Sequence, residues 1–301
     1  MAGMATTGPV RSEVLGRPGC GRRTVARMLR AAGVVVAGPG GESEVDVYVV
    51  AETLKPEDRA VLTRPARPCV AVLNKADLTG FGGDGPFAAA AAHCERLRQS
   101  IGTPIYPLAA LAAVAALERG VLDGAMVDAL QLLTAEPATL ASADGFVAAE
   151  HRLIRPVRER LLAELDLFGI AHALVALRDG AGVAAALRRA SGVDAVLAAI
   201  TRAAAPARYH RLVEDTTAEI GSDDAAVAAR MAAAIAVVEA AGMPVDHDHD
   251  DDVDAHLRRA VAWRRYSRGP VSDLQRRCAD DIVRGSLRRW ERAGGVPEAI
   301  R

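Results

Sequence analysis

The chain of 301 residues carries 37 Lys plus Arg against 38 Asp plus Glu, a net charge of −1. This balance gives no electrostatic basis for binding nucleic acid or an acidic membrane surface. With 50 % apolar residues at this length, about two domains of roughly 150 residues are expected. The 4 cysteines form no CxxC pair, which favours a reducing compartment and a cytoplasmic protein. Pervasive alanine, and arginine in place of almost every lysine, are typical of a high-GC bacterial genome.

Short apolar runs alternate with helical patterns over the first 135 residues. We predict strands at Ser12–Leu15, Val34–Ala37, Val45–Val50, Cys69–Leu73 and Pro104–Leu108. We predict helices at Thr24–Ala32, Pro56–Thr63, Phe87–Ser100 and Ala112–Leu133. This alternation predicts an α/β fold with a mostly parallel sheet, which would bind ligands at the carboxyl ends of its strands.

From Glu136 onward the apolar residues recur at helical spacing. Helical stretches are predicted at Arg155–Ile170, His172–Leu177, Val183–Arg189 and Val193–Ala205, and breaks at residues 181–182, Pro206, Gly221 and Pro244. We therefore expect a sheet domain at residues 1–138 and an all-helical domain at 139–301. The start of the chain lacks the pattern of a secretory signal. The most apolar window, residues 105–117, is shorter than the ~20 residues of a membrane-spanning helix, so no integral membrane segment is expected.

The segment NKAD follows the fourth predicted strand directly. Asn74 is the only asparagine in the chain, Lys75 is one of two lysines, and Asp77 lies at the third position after Asn74. The spacing resembles the guanine-specificity motif of the P-loop GTPases. The resemblance implies that Asn74 meets the base N7 and braces the loop, that Lys75 lies along the base, and that Asp77 accepts N–H bonds from guanine N1 and N2.

The segment VLGRPGCGRRT resembles the phosphate loop of Era-like and dynamin-like members of that superfamily. Glycine-rich turns that lead into a helix expose N–H groups to phosphate. The resemblance assigns this role to Gly16, Gly19, Gly21, Arg22, Arg23 and Thr24. The family has Lys and then Ser or Thr where this chain has two arginines, so the phosphate-binding lysine and the Mg²⁺-binding hydroxyl are both replaced. A glycine-rich turn without a ligand is the alternative.

The segment IYPLAALAA resembles a third family motif, I-P-x-S-A-L. Ala109 takes the place of the serine, and the backbone N–H of Ala110 is expected to meet guanine O6. The family's switch segment and DxxG turn have no counterpart, because Asp46 is followed by no glycine at the required offset. The resemblance covers residues 11–135, less than half of the chain.

Two other segments allow more than one interpretation. The tract at residues 246–252 alternates His and Asp, as metal ligands could, but a solvated acidic loop that caps the next helix is the preferred interpretation. The run at residues 256–292 is rich in arginine, with Trp263, Tyr266 and Trp290 among the arginines. A nucleic-acid surface is one interpretation, and a pair of amphipathic helices is the preferred one.

The resemblance implies a degenerate GTPase-like protein that binds guanine nucleotide, GTP or GDP, with weak or absent hydrolysis and a regulatory role. Weak or no Mg²⁺ binding is expected, and no residue is assigned to catalysis or to a metal. The alternative is an interaction module without nucleotide, whose helical half binds an intact dynamin-like GTPase or a second copy of itself. Such a partner would also place the protein at a membrane surface.

Overall fold

The computed structural model describes residues 8–80, 85–218, 224–246 and 252–295. Five strands in these ranges form an all-parallel sheet in the order β2-β1-β3-β4-β5. Their bounds are β1 Arg11–Gly16, β2 Val35–Ala37, β3 Val45–Ala51, β4 Cys69–Asn74 and β5 Ile105–Leu108. The predicted α/β architecture with a parallel sheet is confirmed.

The central strands β3 and β4 are apolar along nearly their whole length and almost completely buried. A parallel sheet covered on both faces favours such continuous apolar runs over alternation. The register pairs Gly16 with Val49, and Ala51 with Asn74. The carboxyl ends of β1, β3 and β4 are therefore adjacent, and the loops that follow these strands share one edge of the sheet.

Helices connect and follow the strands: α1 Arg22–Ala31, α2 Pro56–Thr63, α3 Pro86–Ile101, α4 Ala110–Leu117 and α5 Gly124–Ala135. The prediction of a single helix at residues 112–133 was wrong, because α4 and α5 are separate. Glu118 has an extended backbone and Gly120 a φ of 89°. Asp123 then caps α5 by accepting a hydrogen bond from the backbone N–H of Met126 at 2.9 Å. These local features override the continuous apolar pattern.

The next helices are α6 Ala143–Ala148, α7 Arg155–Arg178, α8 Val183–Ser191 and α9 Val193–Ala218. The helical stretches predicted on either side of residue 171 form one helix, α7, which is interrupted instead at Asp166. The break predicted at Pro206 was also wrong, because α9 continues through this residue. Its neighbours Ala205 and Tyr209 are buried in a hydrophobic core, and this packing outweighs the hydrogen bond that proline cannot donate. The break predicted at Gly221 lies outside the described residues.

The described residues from Pro9 to Ile200 form one compact unit, and Gly8 forms another with the residues from Thr201 onward. Helix α7 packs against α4 and α5, and α8 packs against α4. The boundary predicted between residues 138 and 139 therefore falls inside the unit of residues 9–200, which we call the sheet unit.

The other unit, which we call the helical unit, contains α10 Asp224–Ala240, α11 Val253–Ser267 and α12 Asp273–Arg292. Trp263 and Trp290 are buried rather than displayed among the arginines, so the interpretation of this run as two amphipathic helices is confirmed. Asp252 caps α11 by accepting a hydrogen bond from Ala255 N–H at 3.1 Å. The rest of the His/Asp tract, residues 247–251, lies outside the described residues. None of the helices in the described ranges is both long enough and apolar enough to cross a bilayer.

Candidate functional site

The glycine-rich loop between β1 and α1 is pressed tightly against its surroundings. A Cβ atom at Gly16 would lie 2.3 Å from the carbonyl oxygen of Val49 on the adjacent strand, and one at Gly21 would lie 2.2 Å from Asn74 Nδ2. Both glycines also have a positive φ, 135° and 87°. Glycine is therefore required at both positions, for space as well as for backbone conformation. Gly19 lies between them in the same loop, and Gly21 is the N-cap of α1.

Asn74 connects three segments at the carboxyl edge of the sheet. It ends β4 and is only 4 % exposed. Its Nδ2 donates to the backbone carbonyl of Cys20 in the glycine-rich loop at 2.9 Å, and its Oδ1 accepts from the backbone N–H of Ala110, the first residue of α4, at 3.2 Å. We call this arrangement the Asn74 bridge. It brings the three segments singled out in the sequence together in space.

The residues at the β5–α4 turn use their N–H groups internally. Ala109 N–H donates to the backbone carbonyl of Ser191 at 3.0 Å. Ala110 N–H, which was expected to meet guanine O6, donates to Asn74 instead. Contact between Ala110 and a base stays a prediction, and it requires this N–H to be shared with Asn74 or released by it.

Lys75 and Asp77 follow Asn74 in a tight turn. Lys75 adopts a left-handed backbone with a φ of 60°, and a short 3₁₀ helix, Ala76–Leu78, begins after it. Its exposed side chain lines an open cavity of about 500 Å³, together with Glu52, Leu78, Thr79, Ala89, Ala92, His93 and Arg96. Glu52, at the end of β3, also has a positive φ, 62°. Two non-glycine residues with this uncommon conformation thus stand at adjacent strand ends.

Asp77 is half-buried, and its pKa is raised. Burial, followed by the nearby Asp166 of α7, raises the pKa of Asp77 to about 6, while Lys75 acts in the opposite direction. Two carboxylates this close disfavour simultaneous ionisation. The residue assigned to base recognition therefore has an acidic neighbour that the sequence did not indicate.

Arg22, Arg23 and Thr24 form the first turn of α1. Both arginines are exposed, and within the described part of the chain neither side chain has a hydrogen bond or ion pair. Thr24 is half-buried. Two uncommitted guanidinium groups and the positive end of a helix dipole favour an anion at this position.

A buried carboxylate anchors the same loop from the side, and sequence reasoning missed it. Asp58 of α2 is fully buried, and its two oxygens share the Nε–H of Arg17, at 3.1 and 2.9 Å. It also accepts from the hydroxyl of Tyr48 at 2.9 Å and the N–H of Lys55 at 2.8 Å. Burial, with the hydrogen bond to Asp58, raises the pKa of Tyr48 to about 12. The segment Lys55-Pro-Glu-Asp58 signals a helix start, but nothing local indicates the pairing with Arg17.

Comparison with known proteins gives no match to a family model, to a curated protein or to a solved structure. A function for this chain therefore has to be inferred from the geometry of these loops. The described residues contain no group of three or more His, Cys, Asp or Glu side chains placed to hold a metal ion.

Proposed function

We propose that the sheet unit binds a guanine nucleotide at the carboxyl edge of the sheet, and that the chain is a degenerate relative of the P-loop GTPases. The Asn74 bridge carries this proposal. It joins the glycine-rich loop, the NKAD segment and the β5–α4 turn through the one asparagine of the chain. A chance match of NKAD would not require its asparagine to be buried between the other two segments of the same resemblance.

The residues at this edge offer complementary groups to the two ends of a nucleotide. The carboxylate of Asp77 can accept hydrogen bonds from guanine N1–H and N2–H, which adenine does not offer in that arrangement. The glycine-rich loop, the N-terminus of α1 and the side chains of Arg22 and Arg23 favour a diphosphate. The base and phosphate subsites are linked through Asn74, so binding one end would stabilise the loop that holds the other.

Hydrolysis is expected to be weak or absent. Phosphoryl transfer depends on positioned charge: a loop lysine, Mg²⁺ and groups that hold the attacking water. Arg22 replaces the lysine, Arg23 cannot ligate a metal, and the segment between α1 and β3 is too short for the family's switch elements. Loss of one such contact commonly costs on the order of 10²-fold in rate. A regulatory role of the bound state is therefore favoured over turnover.

The test is calorimetric titration of the full-length protein with GDP, ADP and XDP, with and without Mg²⁺. GDP should bind at least about tenfold more tightly than ADP, and Mg²⁺ should change the affinity little. Asp77→Asn should reduce the preference for GDP, because an amide presents a donor on one side. Asp128→Asn makes the same chemical change at an exposed position on α5 and should leave the titrations unchanged.

Equal affinity for GDP and ADP would contradict guanine specificity. Absence of any GDP binding would contradict the proposal as a whole and favour the interaction-module alternative. Measuring phosphate release from GTP tests the expectation that hydrolysis is weak or absent. Turnover of about one per minute that disappears in Asp77→Ala would contradict weak hydrolysis, whereas Arg22→Lys combined with Arg23→Ser should not restore activity.

A further inference from the structure

The open cavity lined by Lys75 lies between the ends of β3 and β4 and the helix α3. We call it the α3 cavity. Four residues of α3 line it, Ala89, Ala92, His93 and Arg96, and their spacing places them on one face of the helix. The two alanines fill little of the space in front of this face. The volume of about 500 Å³ is within the range of small-molecule sites.

A tight turn at the end of β3 is held against α3. The backbone N–H of Thr53 donates to the carbonyl of Ala51 at 2.8 Å, which closes a three-residue turn centred on Glu52. The carbonyl oxygen of Glu52 lies 2.7 Å from His93 Nε2. Because a carbonyl can only accept, Nε2 carries the hydrogen of this bond. The wall of the α3 cavity on this side is therefore fixed by hydrogen bonds of the chain itself.

Two cations in the α3 cavity have little to neutralise them. Arg96 Nη2 lies 3.5 Å from His93 Nδ1, and since a guanidinium can only donate, Nδ1 is the acceptor, which is the pattern of a neutral imidazole. The ammonium group of Lys75 and the other donors of Arg96 have no hydrogen bond or ion pair within the described ranges. Glu52 is the one carboxylate among the described residues that line the cavity, and it forms no ion pair with either cation there.

We propose that the α3 cavity binds a small organic anion whose phosphate or carboxylate group lies between Lys75 and Arg96. Charge-assisted hydrogen bonds from ammonium and guanidinium groups are among the strongest that a protein offers to an oxyanion. Leu78 and the alanines of α3 present apolar surface to the rest of the ligand. The carboxylate of Glu52 can accept a hydrogen bond from a hydroxyl or amino group of the same ligand.

This site is separate from the phosphate subsite of the proposed function. The glycine-rich loop, which the structure describes throughout, contributes no residue to the lining of the α3 cavity. Lys75 belongs to the NKAD segment, but the groups that would hold the anion with it come from α3. The inference therefore stands or fails independently of guanine-nucleotide binding.

Lys75 can report on this site because the chain has only one other lysine, Lys55. Lys55 is exposed and does not line the α3 cavity, so it is an internal reference in every sample. The probe is pyridoxal phosphate, whose aldehyde forms an imine with a lysine amine, with loss of water, and borohydride then reduces the imine to a stable amine. After labelling of the full-length protein, digestion and mass spectrometry measure the product at each lysine. Pyridoxal, which lacks the phosphate, is the matched reagent.

Pyridoxal phosphate should label Lys75 at least about tenfold more than Lys55, whereas pyridoxal should label the two lysines to within about threefold. Arg96→Gln removes the second cation and should reduce the labelling of Lys75 by pyridoxal phosphate about tenfold. Arg98→Gln makes the same change on α3 outside the cavity, at an exposed arginine paired with Glu95, and should leave this labelling unchanged. Phenyl phosphate or benzoate should protect Lys75, and benzamide, a neutral molecule of similar shape, should not.

Equal labelling of Lys75 and Lys55 by pyridoxal phosphate would overturn the inference. So would protection by benzamide, or absence of protection by both anions. A loss of labelling in Arg22→Gln combined with Arg23→Gln, but not in Arg96→Gln, would place the phosphate at the glycine-rich loop and overturn it as well. Protection by one anion or by both would support the inference and identify the group that the site prefers. Failure of GDP to bind would overturn the proposed function alone.

Discussion

Asn74→Ala removes the side chain of the Asn74 bridge and leaves two buried groups without a partner, the carbonyl of Cys20 and the N–H of Ala110. Both residues are at least nine-tenths buried. A buried polar group that loses its partner costs about 1–3 kcal/mol, so the two together should cost about 3 kcal/mol. The loss falls on the glycine-rich loop, because Cys20 lies within it. We therefore expect the loop to open far more often in the variant.

The thiol of Cys20 reports this opening, because it is free and buried. Its reaction with a maleimide, followed by mass spectrometry, measures how often the loop opens. A loss of about 3 kcal/mol raises the labelling rate roughly 100-fold. Cys278, in the helical unit, should react at its original rate. Gln131→Ala removes an exposed amide from α5 and should leave Cys20 unchanged. A Cys20 rate in Asn74→Ala within about threefold of the original would refute the importance of the bridge.

Two further predictions concern carboxylates near the same edge. Asp58→Ala should reduce the free energy of unfolding by about 3–5 kcal/mol, because the hydroxyl of Tyr48 and the N–H of Lys55 lose their acceptor. Replacement of the exposed neighbouring residue, Glu57→Ala, should cost less than about 0.5 kcal/mol. Equal shifts of the melting temperature in the two variants would contradict this prediction. Burial and Asp166 raise the pKa of Asp77 from 3.8 to about 6, so the folded chain holds the proton more tightly than the unfolded chain. The contribution of the Asp77 carboxyl group to the free energy of unfolding should be fully present below pH 4 and lost as the pH rises through 6. Denaturation curves measured across this pH range should therefore differ between the original chain and Asp77→Asn. The same pH dependence in both proteins would contradict the prediction.

The strands could be predicted from the sequence because buried parallel strands are short, continuous apolar runs bounded by polar or glycine-rich segments. Each predicted strand ends within one residue of the observed one. The positions at which helices are interrupted were harder to predict from the sequence. The continuation of α9 through Pro206 depends on packing against residues distant in the chain. No local pattern encodes the positive φ at Asp166.

The residues of the candidate site also differ in whether the sequence could predict them. Asn74 could be singled out because the chain contains no other asparagine, and its burial between Cys20 and Ala110 agrees with the bracing role expected from the resemblance. Asp166 could not, because a single aspartate in a long helix is ordinarily exposed, and its approach to Asp77 depends on how α7 packs. The anchoring of Arg17 by Asp58 was missed for the same reason: 41 residues separate the partners.

The strand order also determines how the sheet can assemble while the chain is being synthesised. β2 pairs with one side of β1, β3 pairs with the other side, and β4 and β5 are added outward in turn. Among the described strands, none has to enter between two that are already paired. Parallel sheets are ordinarily slow to form because each pairing must close a long loop. Here each new strand meets an exposed edge as it leaves the ribosome, so the sheet can grow in the order of translation before the helical unit has been made.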